Sequence, residues 1–144
     1  MDIRKTITIE LKDASSGEDA FIMIRVVGTL VGLVLTTRHS GDVEVYLTLS
    51  ELTRLLDGLK RATRLAANVG VETSPDSITI RSQPTGSTVQ QAVTVNTQSE
   101  VVTLCLSREG VEDELREVEV SLDANVCAHL TEALEEARSI VETP

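Results

Sequence analysis

Val43-Glu44-Val45-Tyr46-Leu47 and Val118-Glu119-Val120-Ser121-Leu122 are one strand written twice, 75 positions apart. At that spacing Leu55 falls on Leu130, Leu59 on Leu134, Ala62 on Ala137 and Asp57 on Glu132. Upstream, Thr6-Ile7-Thr8-Ile9 lies over Ser77-Ile78-Thr79-Ile80 at a spacing of 71. The difference falls in a longer loop, Arg108–Arg116, where the first copy has Arg38–Gly41. Self-similarity at a fixed period marks a duplicated unit. The chain divides into repeat one, 1–70, and repeat two, 71–144.

Each repeat changes period once. In repeat one, Ile3–Lys12 alternates apolar and polar residues, the pattern of a half-buried strand. Asp13–Asp19 holds Ser-Ser-Gly and reads as a turn. Phe21–Val27 and Leu30–Thr37 are strands joined by Gly28-Thr29, a tight hairpin with glycine first. The turn His39–Asp42 leads to a fourth strand, Val43–Leu47. The spacing of Leu52, Leu55, Leu56, Leu59, Ala62 and Ala66 then puts six apolar side chains on one face of a helix. Thr48 with Glu51 three residues on is a capping box. Gly58 costs this helix about 1 kcal/mol relative to alanine, which predicts a close approach by another backbone. Asn68-Val69-Gly70 ends the helix, and Ser74-Pro75-Asp76 opens the second copy.

Repeat two follows the same plan. Its strands are Ser77–Ser82, Val89–Thr97, Val101–Ser107 and Leu115–Leu122, with turn chemistry at Pro84–Ser87. Its helix runs over Ala124–Glu142, capped by Asp123, with Val126, Leu130, Leu134, Ala137 and Val141 as the apolar stripe. An amphipathic sheet needs a second layer. The expected fold is therefore α+β: a tandem ββββα-ββββα repeat with pseudo-two-fold symmetry, antiparallel sheets packed with two helices, in one domain spanning 1–144.

A duplicated ββββα order resembles the PUR-repeat and whirly families over nearly the whole chain, as topology. That resemblance implies binding of single-stranded nucleic acid, with basic side chains and aromatic residues on the sheet for base stacking. Composition points elsewhere. The chain of 144 residues has a net charge of −10, no tryptophan, one phenylalanine (Phe21) and one tyrosine (Tyr46). Residues 1–70 hold nine basic and nine acidic side chains, so repeat two carries the whole excess. An acidic chain repels phosphate backbones.

Site candidates are few. Arg25, Arg38, Arg81 and Arg108 are the basic residues on strands or at their ends, and His39 sits in a turn beside Arg38. Arg38 and Arg108 occupy corresponding strand ends, so a small anionic ligand could be held between the repeats. Outer helix positions invert in charge: Lys60 lies over Glu135 and Arg61 over Glu136, with Arg54 on the same helix. Those residues are expected to pair the helices.

No Walker A, GxGxxG or HExxH pattern is present, and no cofactor is expected. Cys105 and Cys127 lack metal-ligand spacing and read as two reduced, buried residues. The acidic run Glu109–Glu114 lacks the alternation of a calcium loop, so no metal is expected there. The longest apolar stretch, Val26–Leu35, is too short to span a bilayer. The expectation is a cytoplasmic, non-enzymatic binding module and homo-oligomer. Its partner is another protein or itself, with single-stranded nucleic acid the alternative.

Overall fold

Ten elements follow one another in a computed structural model that describes residues 3–67, 76–82, 89–98, 100–110 and 115–143. Repeat one contains β1 (Ile3–Lys12), β2 (Asp19–Val27), β3 (Leu30–Thr37), β4 (Gly41–Leu47) and α1 (Leu49–Ala66). Repeat two contains β5 (Asp76–Ser82), β6 (Gln90–Gln98), β7 (Val101–Glu109), β8 (Leu115–Leu122) and α2 (Ala124–Glu142). Each set of four strands forms an antiparallel sheet in chain order, β1-β2-β3-β4 and β5-β6-β7-β8. The fold is the expected α+β duplication. The expected helix end Asn68–Gly70, the Ser74-Pro75 that opens the second copy, the turn Pro84–Ser87 and most of the acidic run lie outside the described residues.

The local signals act as expected. Gly28 has φ 59° in the loop closed by Val27 opposite Leu30. The Thr48 hydroxyl accepts from the Glu51 amide at 3.3 Å, while the Glu51 carboxylate accepts from the Thr48 amide at 2.9 Å. Asp123 caps α2 by accepting from the Val126 amide at 2.8 Å. The insertion in repeat two is also located. Thr37 opposite Gly41 closes the β3–β4 hairpin, whereas Arg108 opposite Arg116 is followed by a further pair, Glu109 opposite Leu115.

The helices exchange sheets. α1 lies against β5 and β6 of repeat two, and α2 against β1 and β2 of repeat one, while the helices also pack on each other. β3 and β4 meet β8 and β7 directly, so one apolar core draws on both sheets and both helices. The buried faces of the helices match position by position at the spacing of 75. Leu52, Leu55, Leu56, Gly58, Leu59 and Ala62 of α1 correspond to Cys127, Leu130, Thr131, Ala133, Leu134 and Ala137 of α2. Val126 and Val141, expected in the α2 stripe, are only half-buried, and Cys127 takes the inward place. What approaches Gly58 is a side chain, not a backbone: a Cβ added there would lie 2.8 Å from Cγ2 of Ile78 on β5.

Each repeat also fastens the fourth strand of the other. The Asp13 carboxylate accepts from the Ser121 amide at 3.0 Å, and the Ala14 amide donates to the Ser121 carbonyl at 2.8 Å. In return the Tyr46 amide donates to Gln91 Oε1 at 2.8 Å, and the Ser82 hydroxyl donates to the Tyr46 carbonyl at 3.2 Å. Tyr46 and Ser121 are equivalent positions, so the repeats clasp each other in the same place with different chemistry. Among the described residues, every buried side-chain nitrogen and oxygen has a partner, and no helix is long and apolar enough to cross a membrane.

Candidate functional site

The helices and the core lie on one side of each sheet; among the described residues the opposite faces carry no further layer, apart from the Asp13–Ser15 turn at Ser121, and the duplication allows them to be compared row by row. On the outer face of the first sheet the cross-strand rows are Glu10, Phe21, Thr36, Asp42; Thr8, Met23, Val34, Glu44; and Thr6, Arg25, Gly32, Tyr46. The equivalent rows of the second sheet are Arg81, Ala92, Ser107, Glu117; Thr79, Thr94, Cys105, Glu119; and Ser77, Asn96, Thr103, Ser121. Where one face has Phe21, Met23, Val34 and Tyr46, the other has Ala92, Thr94, Cys105 and Ser121. Both aromatic residues of the chain lie on the first of these faces and neither lies in the core.

The centre of the first face is built from local contacts. Tyr46 lies over Gly32, where an added Cβ would come within 2.9 Å of its Cε1. Glycine there lets the ring lie flat on the strand. Arg25, across β3 from Tyr46, sits 3.3 Å from Glu44 and donates to the Met23 sulfur at 3.2 Å. Burial raises the Tyr46 hydroxyl above its ordinary range, and the neighbouring Glu44 adds to the rise against the charges of Arg25 and Arg108. Phe21 is 43% exposed. Among the described residues, the rim carries two carboxylates with no ion pair, Glu10 and Asp42, while Glu44 is paired with the central cation, Arg25.

The second face has a different centre. Cys105 Sγ and carboxylate oxygens of Glu117 and Glu119 lie within 4.8 Å of one another, the metal-type donor group found among the described residues. Burial, with the two negative charges, pushes the Cys105 thiol up to about 11. Protonated, it is a weak ligand and a weak nucleophile. Cys105 is half-buried on this face, so only Cys127 answers to the expectation of a buried cysteine.

Of the other basic residues, Arg108 comes near enough to Tyr46 for its charge to act there beside that of Arg25. His39 Nε2 lies 2.7 Å from Glu18 at an exposed hairpin end, and the charge of Arg38 acts on Asp19 nearby. Arg81 lines a cavity of about 440 Å³ with Gln90, Gln91 and Ser107, at the end of the second sheet. A wider hollow of about 700 Å³, lined by Asn96, Thr103 and Ser121, lies at the other end. Arg38 and Arg108 line neither. Nor are they equivalent: the register that matches Leu33 with Leu104 matches Thr37 with Arg108 and Arg38 with Glu109. The β7–β8 hairpin is longer than the β3–β4 hairpin, so the arginines near the two hairpin ends fall one residue out of register when the core positions are matched.

Of the helix-pairing residues, Lys60 reaches Glu135 at 3.6 Å, as expected. Arg61 and Glu136 do not meet. Arg61 binds Asp76 at 3.0 Å and Glu136 lies 3.9 Å from Lys5. Arg54 is exposed, with no ion pair among the described residues. The outward placement of Phe21, Met23 and Tyr46 could have been read from the alternation of β2 and β4 once the core-facing positions were assigned. The chain matches no protein-family model, and a search of curated proteins finds no match.

Proposed function

We propose that this protein is a protein-binding module whose docking surface is the outer face of the first sheet, taking a partner with an apolar face flanked by basic side chains. The observation that carries this reading is the difference between the two outer faces. The duplicated halves keep the same core positions, yet one outer face carries large apolar and aromatic side chains where its copy carries small ones. Aromatic and methionine side chains are enriched at protein interfaces, and a rigid sheet holds them at fixed spacing. The acidic rim favours a basic partner and disfavours a second copy presenting the same rim. The topological resemblance to PUR-repeat and whirly domains supports single-stranded nucleic acid as the second reading, but phosphates would meet Glu10, Asp42 and Glu44 on this face.

The test replaces first-sheet residues with those at equivalent positions of the second, Phe21→Ala, Met23→Thr and Tyr46→Ser together, because the fold already accommodates them there. Fluorescence anisotropy then compares a labelled leucine–lysine amphipathic peptide with short single-stranded DNA and RNA. The expected result is peptide binding that weakens at least tenfold in the triple variant, and no binding of either nucleic acid. Equal peptide binding by the variant would reduce the interaction to net charge. Tight nucleic-acid binding that falls steeply with salt would give the function to the second reading.

A further inference from the structure

Four strands lie at sheet edges, β1, β4, β5 and β8. β4 and β8 are clasped by the other repeat at Tyr46 and Ser121. β1 carries a register shift between Ile3 and Lys5, and two lysines, Lys5 and Lys12. Bulges and edge lysines are devices that deter strand addition. β5 has neither. Its register against β6 is unbroken over Asp76–Ser82, and the strand contains no lysine and no proline.

We infer that β5 is a self-association edge: two copies of the chain pair β5 with β5, antiparallel about a two-fold axis at Thr79, joining their second sheets into one. The occupant is written in the strand itself. Within Asp-Ser-Ile-Thr-Ile-Arg-Ser the central Ile-Thr-Ile is symmetric about Thr79. In that register Ile78 faces Ile80 of the second copy, Thr79 faces its own counterpart, Ser77 faces Arg81 and Asp76 faces Ser82. Opposed residues of an antiparallel pair share a face, so the isoleucines remain on the core side. There Ile80 is fully buried, and Ile78 is half-buried against the core. Sliding one strand by two residues puts an isoleucine opposite Asp76 or Ser82, and sliding by one turns the apolar residues to the wrong face. The register is therefore selected, as a closed two-fold contact requires. Repeat two is acidic, but Glu117 and Glu119 lie on β8, three strands from the joint. At about 4.8 Å per strand that is roughly 14 Å, beyond the screening length of about 8 Å at physiological ionic strength.

Ser77 makes the test directional. Ser77→Glu places a carboxylate opposite Arg81 of the second copy, twice per dimer, and Ser77→Arg places two arginines opposite each other. Sedimentation equilibrium of the full chain is expected to show a dimer at high concentration. Its dissociation constant should fall roughly two- to thirtyfold in Ser77→Glu and rise by a similar factor in Ser77→Arg. Net charge alone predicts the reverse order, since Ser77→Glu makes the chain more acidic. Wild-type protein that stays monomeric to millimolar concentration, or variants that follow net charge, would overturn the inference. Hydrogen exchange locates the joint: β5 amides should gain protection with concentration while β1 amides do not. Protection appearing on β1 instead would overturn it equally.

Discussion

Lys60 and Glu135 occupy the same position in the two helices, and they meet each other across the helix pair at 3.6 Å. A residue that touches its own equivalent sits near the axis relating the repeats. The flanking contacts obey the same relation. Arg61 to Asp76 and Glu136 to Lys5 are one contact made twice with the charges exchanged, since Lys5 and Asp76 are equivalent at the spacing of 71. Two copies of repeat one paired this way would place Lys60 against Lys60 and Arg61 against Lys5. The charge pattern thus selects the pairing of unlike halves.

Lys60→Glu is expected to destabilise the protein by up to about 1 kcal/mol, because both partners are substantially exposed and water screens the pair. The exchange Lys60→Glu with Glu135→Lys should recover most of that loss. Urea denaturation of the single and double variants, taken as a double-mutant cycle, checks it. Losses that add would show that the pair contributes nothing.

Gly58→Ala should destabilise despite the better helix propensity of alanine. The gain of about 1 kcal/mol from replacing glycine is opposed by the 2.8 Å contact with the branched Cγ2 of Ile78, which cannot swing away freely. Overpacking costs about 1–3 kcal/mol, so the net loss should be roughly 1 kcal/mol in thermal or urea unfolding. Ile78→Ala in the same chain should turn Gly58→Ala from unfavourable to favourable.

Asp13 makes the clasp sensitive to acid. Burial raises its carboxyl, but amide hydrogen bonds from Ser121, Ser16 and Ser15 outweigh that and hold it below the usual value of 3.8. A depressed folded-state value means the carboxylate stabilises the fold above about pH 4, and that this contribution is lost as pH falls through the folded value. Asp13→Ala should cost about 1–3 kcal/mol at pH 7 and flatten the fall in melting temperature between pH 5 and pH 3. An unchanged acid profile would remove Asp13 from the account.

Cys105 should resist alkylation. With its thiol pushed up to about 11, the thiolate is a minor species at pH 8. Iodoacetamide labelling followed by mass spectrometry should be far slower than for a free thiol in solution. Replacing Glu117 and Glu119 by glutamine should speed it, because the two carboxylates contribute to the rise.

The alternation of Thr6–Ile9 and Ser77–Ile80, the change to helical spacing after Thr48 and Asp123, and the glycine of the Gly28-Thr29 loop identified the elements and their order from the chain alone. Each of these signals acts over a few residues, where backbone preferences and side-chain period leave few alternatives. The repeat further identified Leu130, Leu134 and Ala137 as buried positions of α2, because they fall on Leu55, Leu59 and Ala62 of α1; it did not show that Cys127 rather than Val126 turns inward. Tertiary structure alone decided that each helix crosses to the other sheet, which sends Arg61 to Asp76 and Glu136 to Lys5 instead of to each other. It likewise decided that neither Arg38 nor Arg108 lines either cavity of the second sheet. Those outcomes depend on how amphipathic surfaces far apart in the chain cover one another, and the local period of a segment shows that it has an apolar face without naming the surface that will bury it.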